Sequence, residues 1–309
     1  MSIGEPGVAQ IADWDDAYAN IAHIPGGAGF PDAWAQAAAD FRERHPATLW
    51  TGGQPPAAAA AFLAENGPPD RFPGALKPRD IYAPKNLPAP DAEFYLPQGE
   101  PRGLAVFVHG GYWMKFAPSW FSHLAQGALA RGWAVLLPSY PLAPATGLPE
   151  MRDRIAAQVA AAAGEVSGPI ALTGHSAGGH LAARLVCKDS PLPAPVLARV
   201  ARCLPISGLF DLRPLQLTTM RGDLRLDDAT ARDESPLFHL PVPGCELHLW
   251  VGGDERPVFI RQSQLLHAAW AGFPRRSTLT VEPGRHHLDV VAGLAAPDHP
   301  LTEALLGGL

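Results

Sequence analysis

From about residue 92 onward the sequence alternates short apolar runs with longer stretches of helical periodicity, and no other feature restricts the fold as much. Leu104 to Val108 is followed by a helical stretch near Pro118 to Ala130, then by the apolar run Trp133 to Leu137. The rhythm continues through Met151 to Val166 (helix), Ile170 to Thr173 (strand), Ala177 to Lys188 (helix) and Ala201 to Ile206 (strand). After a gap it resumes with Glu246 to Val251 (strand), Pro257 to Ala271 (helix) and Thr278 to Val281 (strand). Brief runs apolar on every position suit strands buried on both faces, and strands separated by helices suit parallel pairing through crossovers. The expectation is an α/β domain: a mostly parallel central sheet with helices on both faces. A chain of 309 residues with 47% hydrophobic residues has ample material for one such core.

Two regions fall outside the rhythm. Residues 1–90 are broken by Pro55-Pro56, Gly67-Pro68-Pro69 and Phe72-Pro73-Gly74 and read as an irregular lid or cap segment. One helix stands out there. It starts at Pro31, places Trp34, Ala38 and Phe41 at helical spacing, ends at Pro46, and covers either a pocket or the sheet. Residues 212–243, rich in arginine and aspartate, read as an excursion over the strand ends within the same single domain 1–309.

Net charge is −6, the wrong sign for a phosphate backbone, which argues against nucleic acid. No apolar run approaches the roughly 20 residues needed to span a bilayer, and the first residues lack the basic and apolar parts of a secretory signal. Cys187, Cys203 and Cys245 are odd in number and sit in apolar stretches, as small core residues do. A cytoplasmic setting is expected.

Gly174-His175-Ser176-Ala177-Gly178 has the form G-x-S-x-G and lies where a strand gives way to a helix. In that context the serine occupies a sharp turn that exposes its hydroxyl, and small neighbours let the helix pack close to the strand. Ser176 is the expected nucleophile. It needs a base, and the base needs an orienting acid. His286 and His287 follow the last strand, and neighbouring side chains in an extended loop diverge, so one of the two points inward. Asp254, after Gly252-Gly253 at the end of Glu246 to Val251, is taken as the acid. Asp211, after Ser207-Gly208-Leu209-Phe210, is its competitor, with turn capping as its alternative use. His109-Gly110-Gly111-Tyr112-Trp113 follows Leu104 to Val108. Its amides at Gly110 and Gly111, with Tyr112 and the amide of Ala177, form the expected oxyanion hole. Trp113, Phe116, Trp120 and Phe210 are the expected substrate contacts. No histidine pair at helical spacing with a nearby glutamate, no paired cysteines and no phosphate-binding glycine loop is present, so no metal and no cofactor is expected.

The His109-Gly110-Gly111-Tyr112-Trp113 and Gly174-His175-Ser176-Ala177-Gly178-Gly179 segments resemble the kynurenine formamidase (arylformamidase) branch of the α/β-hydrolases, related to hormone-sensitive-lipase-like esterases. The resemblance extends through Ser207 to Pro214, Ser235-Pro236-Leu237 and His287-Leu288-Asp289, covering roughly residues 90–295. It implies the α/β-hydrolase fold with a small lid, His287 as base, Asp211 as structural and Asp254 as acid. It also implies hydrolysis of N-formyl-kynurenine to kynurenine and formate. The expected partner is a small aryl amide or ester, with no nucleic acid and no membrane, and a homodimer is compatible with this reading. A short-chain carboxylesterase is the alternative activity, and a catalytically silent binding protein is an alternative of another class.

Overall fold

Strand order follows from which apolar runs must be covered on both faces. The computed structural model describes residues 10–46, 48–50 and 92–309. Among them, eight strands form one sheet: β1 (Thr48–Trp50), β2 (Ala92–Tyr95), β3 (Leu104–Val108), β4 (Ala134–Leu137), β5 (Ile170–His175), β6 (Val200–Ile206), β7 (Glu246–Gly252) and β8 (Arg276–Glu282). The order is β1-β2-β4-β3-β5-β6-β7-β8, with β1 and β2 antiparallel at one edge and parallel pairing from β4 through β8. β3, β5 and the β2–β4 pair are buried along their whole length, as the unbroken apolar runs of β3 and β4 require.

Two apolar clusters, one of them containing Val106, Leu172 and Leu249 and the other Phe107, Ala171 and Trp250, draw alternate residues from the same strands, so each covers one face of the sheet. The helix Leu148–Glu165 turns Met151, Ile155, Val159 and Ala162 inward, at spacings of three and four, onto the first cluster. Met151, Ile155 and Val159 each contribute about 1.5–3 kcal/mol by leaving water. The same helix buries Gln158, whose amide both accepts from the Ser139 N–H (2.9 Å) and donates to the Ser139 carbonyl (2.6 Å), so the strand-end backbone after β4 stays paired.

The order β4-β3-β5 is decisive for function. The chain leaves β3 toward one side of the sheet and, after β4, passes back to the other side of β3, and ligands bind at such reversals, outside the carboxyl ends of the strands. Beyond β3 the remaining strands follow in chain order, so their terminal loops form a row.

The helix expected between Pro118 and Ala130 is broken into two 3₁₀ turns, Pro118–Trp120 and Ser122–Ala125, and a short α-helix, Gln126–Ala130. Phe121 leaves helical geometry at the break and is buried. The Ser122 hydroxyl donates to the buried Glu93 carboxylate (2.6 Å), a contact that exact helical continuation would misdirect.

The helix Phe30–Arg44 buries Trp34, Ala38 and Phe41, the spacing read from the sequence. Arg42 near its end donates to the Ser119 carbonyl and the Ser122 hydroxyl (2.7 Å) and lies 3.8 Å from Glu93. Burial pushes the Glu93 carboxyl up, while the Ser122 hydroxyl, Arg42 and the Tyr95 hydroxyl oppose the rise. The rest of the expected lid region, residues 1–9, 47 and 51–91, lies outside the described residues. Residues 212–243 form short helical turns, Arg213–Leu217, Arg221–Leu224, Asp228–Asp233 and Pro236–Phe238. They brace the helix Trp14–Tyr18, to which Thr219 is tied through its amide and hydroxyl on Asp15 (2.8 and 2.9 Å).

Candidate active site

Five adjacent parallel strands each deliver one part of a site at their carboxyl ends. β3 ends in His109-Gly110-Gly111, β5 in Ser176, β6 in Ser207, β7 in Glu255 and β8 in His287. Neighbouring strands lie about 4.8 Å apart, so consecutive loops are within side-chain reach.

Ser176 has φ 56° and ψ −118°, a conformation that side-chain-bearing residues rarely adopt. It is held there from both sides: its amide donates to the Ile206 carbonyl (2.9 Å) and its carbonyl accepts the His180 amide as the following helix begins. The turn closes only because Gly178 faces the end of β3, where a Cβ would strike the Val108 and His109 carbonyls. Ala177 opens the helix, and its amide is among the first N–H groups that have no partner within the helix.

Gly110 packs against the same turn, since a Cβ there would sit 2.8 Å from the His175 carbonyl and 3.0 Å from Ser176 Cβ. Gly111 has φ +109°, which favours glycine. His109 orders this loop. Its Nδ1–H donates to the Gly110 carbonyl (2.8 Å), its ring stacks on Tyr140 (4.4 Å), and the Tyr140 hydroxyl donates to the His109 carbonyl (2.9 Å). Burial lowers the His109 pKa to about 4, which keeps the ring neutral.

The carboxylate beside His287 is that of Glu255, not of Asp254, the expected acid. His287 Nδ1 lies 2.6 Å from Glu255 Oε2, with both side chains buried. The Glu255 carboxylate also accepts from the Ser207 hydroxyl and from the Gly252 amide (2.8 Å). Three donors on one carboxylate compensate for removing it from water. Asp254 is exposed. Its amide is tied to the Arg285 carbonyl (2.9 Å), and the turn after β7 sends its side chain outward and the next one in. Asp211 accepts from the amide and guanidinium of its own neighbour Arg213 (2.9–3.1 Å), the turn-capping arrangement, and has no contact with His287. His286 points away: its Nδ1 accepts from the amides of Leu288 and Asp289 (both 3.2 Å) and its ring meets Phe30 edge-on.

Ser176 and His287 line one cavity of about 420 Å³ with Gly110, Gly111, Tyr112 and Phe116. The opposite wall comes from Tyr18, Asn20, Ile21, Pro31 and Trp34, with Phe121 beneath. Trp34 is set by edge contacts to Phe116 (6.0 Å) and a tilted contact to Phe121 (5.2 Å). Of the four expected substrate aromatics, only Phe116 lines the cavity. Trp113 is buried edge-on to His180 (5.1 Å), Phe210 is buried in the core, and Trp120 packs on Phe116 (5.3 Å). A tight turn beside a site sends alternate residues into the protein, so nearness in sequence did not mean nearness to the cavity. The Tyr112 hydroxyl, expected at the oxyanion hole, is committed elsewhere, donating to the Tyr18 carbonyl (2.6 Å). No residue of 212–243 lines the cavity. Trp34 and the 18–22 stretch carry no motif; the helical spacing around Trp34 was the available signal. Glu255 was not singled out from the sequence, because spacing alone does not separate it from Asp254.

A model of the α/β-hydrolase fold matches residues 105–239. The crystal structure of a Silicibacter sp. TM1040 protein, described as a candidate thioesterase, superposes with TM-score 0.78 at 38% identity, covering 95% of this chain and 98% of that one. This chain belongs to the α/β-hydrolase family. Other relatives of this α/β-hydrolase are the kynurenine formamidases of Salmo salar (26% identical over 66% of this chain and 71% of that protein) and Danio rerio (25%, 74% and 76%). Esterase 2 of Thermogutta terrifontis shares the fold at 18% identity, TM-score 0.53, over 64% of this chain and 79% of its own. Among the described residues of this α/β-hydrolase, no helix is long and apolar enough to cross a membrane, and no cluster of His, Cys, Asp and Glu is arranged to hold a metal.

Proposed function

We propose that this hydrolase uses Ser176, His287 and Glu255 to remove a formyl or short acyl group from an aryl amide, with N-formyl-kynurenine as the leading substrate. The observation that carries the reading is the buried His287–Glu255 pair in a cavity that also holds the strained Ser176 turn. The carboxylate on Nδ1 keeps the base's proton there, leaves Nε2 free to accept the Ser176 proton, and stabilises the imidazolium that results.

As Ser176 Oγ attacks the carbonyl carbon, its proton passes to His287 Nε2. The amides of Gly110, Gly111 and Ala177 receive the developing oxyanion, each worth about 3 kcal/mol. Collapse of the tetrahedral species breaks the C–N bond, and His287 gives its proton to the leaving arylamine. Water, deprotonated by His287, then releases formate or the short acid and restores Ser176. The rings of Trp34, Phe116 and Phe121, which meet across the cavity, offer flat apolar surface to the aryl leaving group. The kynurenine formamidase relatives support the formamide reading, and the 38% identical relative supports a second one, a short-chain ester or thioester substrate on the same residues. The three buried, unpaired cysteines fit a reducing cytoplasm.

The deciding experiment compares kcat/KM for N-formyl-kynurenine, p-nitrophenyl acetate and short acyl thioesters, with a fluorophosphonate as active-site label. The formamide should lead and labelling should fall on Ser176. A preference for thioesters or oxyesters by a factor of about 100 or more, about 2.7 kcal/mol, would replace the formamidase reading with the second one.

A further inference from the structure

We propose that His175 is a positioning residue, whose hydrogen bond to the main chain of His287 sets the approach of the base to the nucleophile. The inference rests on the Ser176, His287 and Glu255 reading above.

Glu255 grips the ring of His287, but ring rotation is only part of what the base needs. His287 sits on the loop after β8, and Ser176 on the turn after β5, with β6 and β7 between them. Three strand spacings amount to about 14 Å, so no ladder hydrogen bond relates the two loops directly. The direct tie is His175 Nε2, 2.8 Å from the His287 carbonyl oxygen. A carbonyl only accepts, so His175 carries its proton on Nε2. The residue that grips the base's backbone is therefore bonded through its own peptide to the nucleophile.

The ring has little room to do anything else. It is buried, its centroid lies 4.7 Å from that of His287, and a side chain on Gly110 would come within 3.3 Å of its Nδ1. One imidazole thus touches the oxyanion loop on one side and the base loop on the other. Burial, reinforced by the neighbouring His287, drives the His175 pKa well below the ordinary value, so the ring stays neutral and its single N–H stays on the carbonyl. Because burial disfavours its imidazolium, His175 does not compete as base. Misplacing a reacting group by about 1 Å costs on the order of 100-fold in rate.

The test compares His175→Met with His175→Gln, side chains of nearly equal length of which only glutamine has an N–H to donate. Fluorophosphonate acylation rate, kcat, KM and thermal melting are measured for both, with wild type and His287→Ala as references. Nitrogen NMR of labelled histidine in the wild type reads the His175 tautomer independently of any variant. The methionine variant should lose about 10- to 100-fold in kcat and in acylation rate with KM little changed, and the glutamine variant should recover most of it. The pH midpoint of kcat should stay where it is in the wild type, because His175 is neutral throughout. A methionine variant at wild-type rate, equal losses in two folded variants, or an Nδ1–H tautomer in the wild type each overturns the inference while leaving the site reading intact. A wild type that is not acylated, or a His287→Ala variant acylated as fast as wild type, overturns the site reading and this inference with it.

Discussion

The two walls of the cavity are built in opposite ways. One wall is the row of strand ends that presents Gly110, Ser176 and His287, and it is braced by main chain on both sides of the Ser176 turn and by a carboxylate with three donors. The other wall, residues 18–34, carries no strand and rests on side-chain contacts: the Tyr112 hydroxyl on the Tyr18 carbonyl and Gln262 on the Tyr18 hydroxyl (3.2 Å). On the proposed reading, chemistry that tolerates little displacement would occupy the sheet, and the surface that meets the variable part of a substrate would occupy the segment held by side chains.

The sharpest break between the walls is Ser176→Ala. It should remove at least about 10⁴-fold of kcat without lowering the melting temperature by more than a few degrees, measured by turnover and calorimetry on one preparation. Next comes the acid. Glu255→Gln should cost about 10³- to 10⁴-fold in kcat, whereas Asp254→Asn should stay within about twofold of wild type. The reverse ranking would return the acid to Asp254 and undo the strand-end account.

Effects on the other wall should be smaller and of another kind. Trp34→Leu should raise KM for aryl substrates by about tenfold while leaving the rate of labelling by a small alkyl fluorophosphonate within about threefold, since one to two kcal/mol of aromatic contact is lost and the nucleophile is untouched. Tyr112→Phe tests the seam between the walls. Cutting that one hydrogen bond should lower kcat by about three- to tenfold, and a loss as large as that of Glu255→Gln would mean that the two walls act as one unit. Asp16→Asn removes an exposed partner of Arg256 and should leave turnover and melting temperature indistinguishable from wild type, because water and salt screen such pairs.

The sheet, and the gathering of Gly110, Gly111, Ser176 and His287 around one cavity, were legible in the sequence because they depend on local backbone demands. An apolar run between glycines has few alternatives to a buried strand, and Gly174 to Gly178 reads as a turn because close packing at Gly178 tolerates nothing larger. The carboxylate that meets His287 lies one position beyond the expected Asp254, since Asp254 and Glu255 are adjacent on one turn and only the burial of the turn's inner side selects between them. Trp113 and Phe210 were misassigned for the same reason: whether an aromatic beside a turn faces the cavity or the core depends on what packs behind it. Trp34 lay in a helix whose buried stripe was evident, but the partner of that stripe, Phe116 and Phe121 across some 80 residues of chain, is set by tertiary packing alone.

The Tyr112 to Tyr18 contact has a consequence for inheritance. A loop that reports on the neighbouring segment through a single hydroxyl accepts any main chain that brings a carbonyl to the same point. This tie therefore constrains the Tyr18 main chain and not the side chains of Ala19, Ile21 and Ala22, which line the cavity beside it. Lineages of this enzyme would be expected to diverge in what they accept long before they diverge in how they cut it.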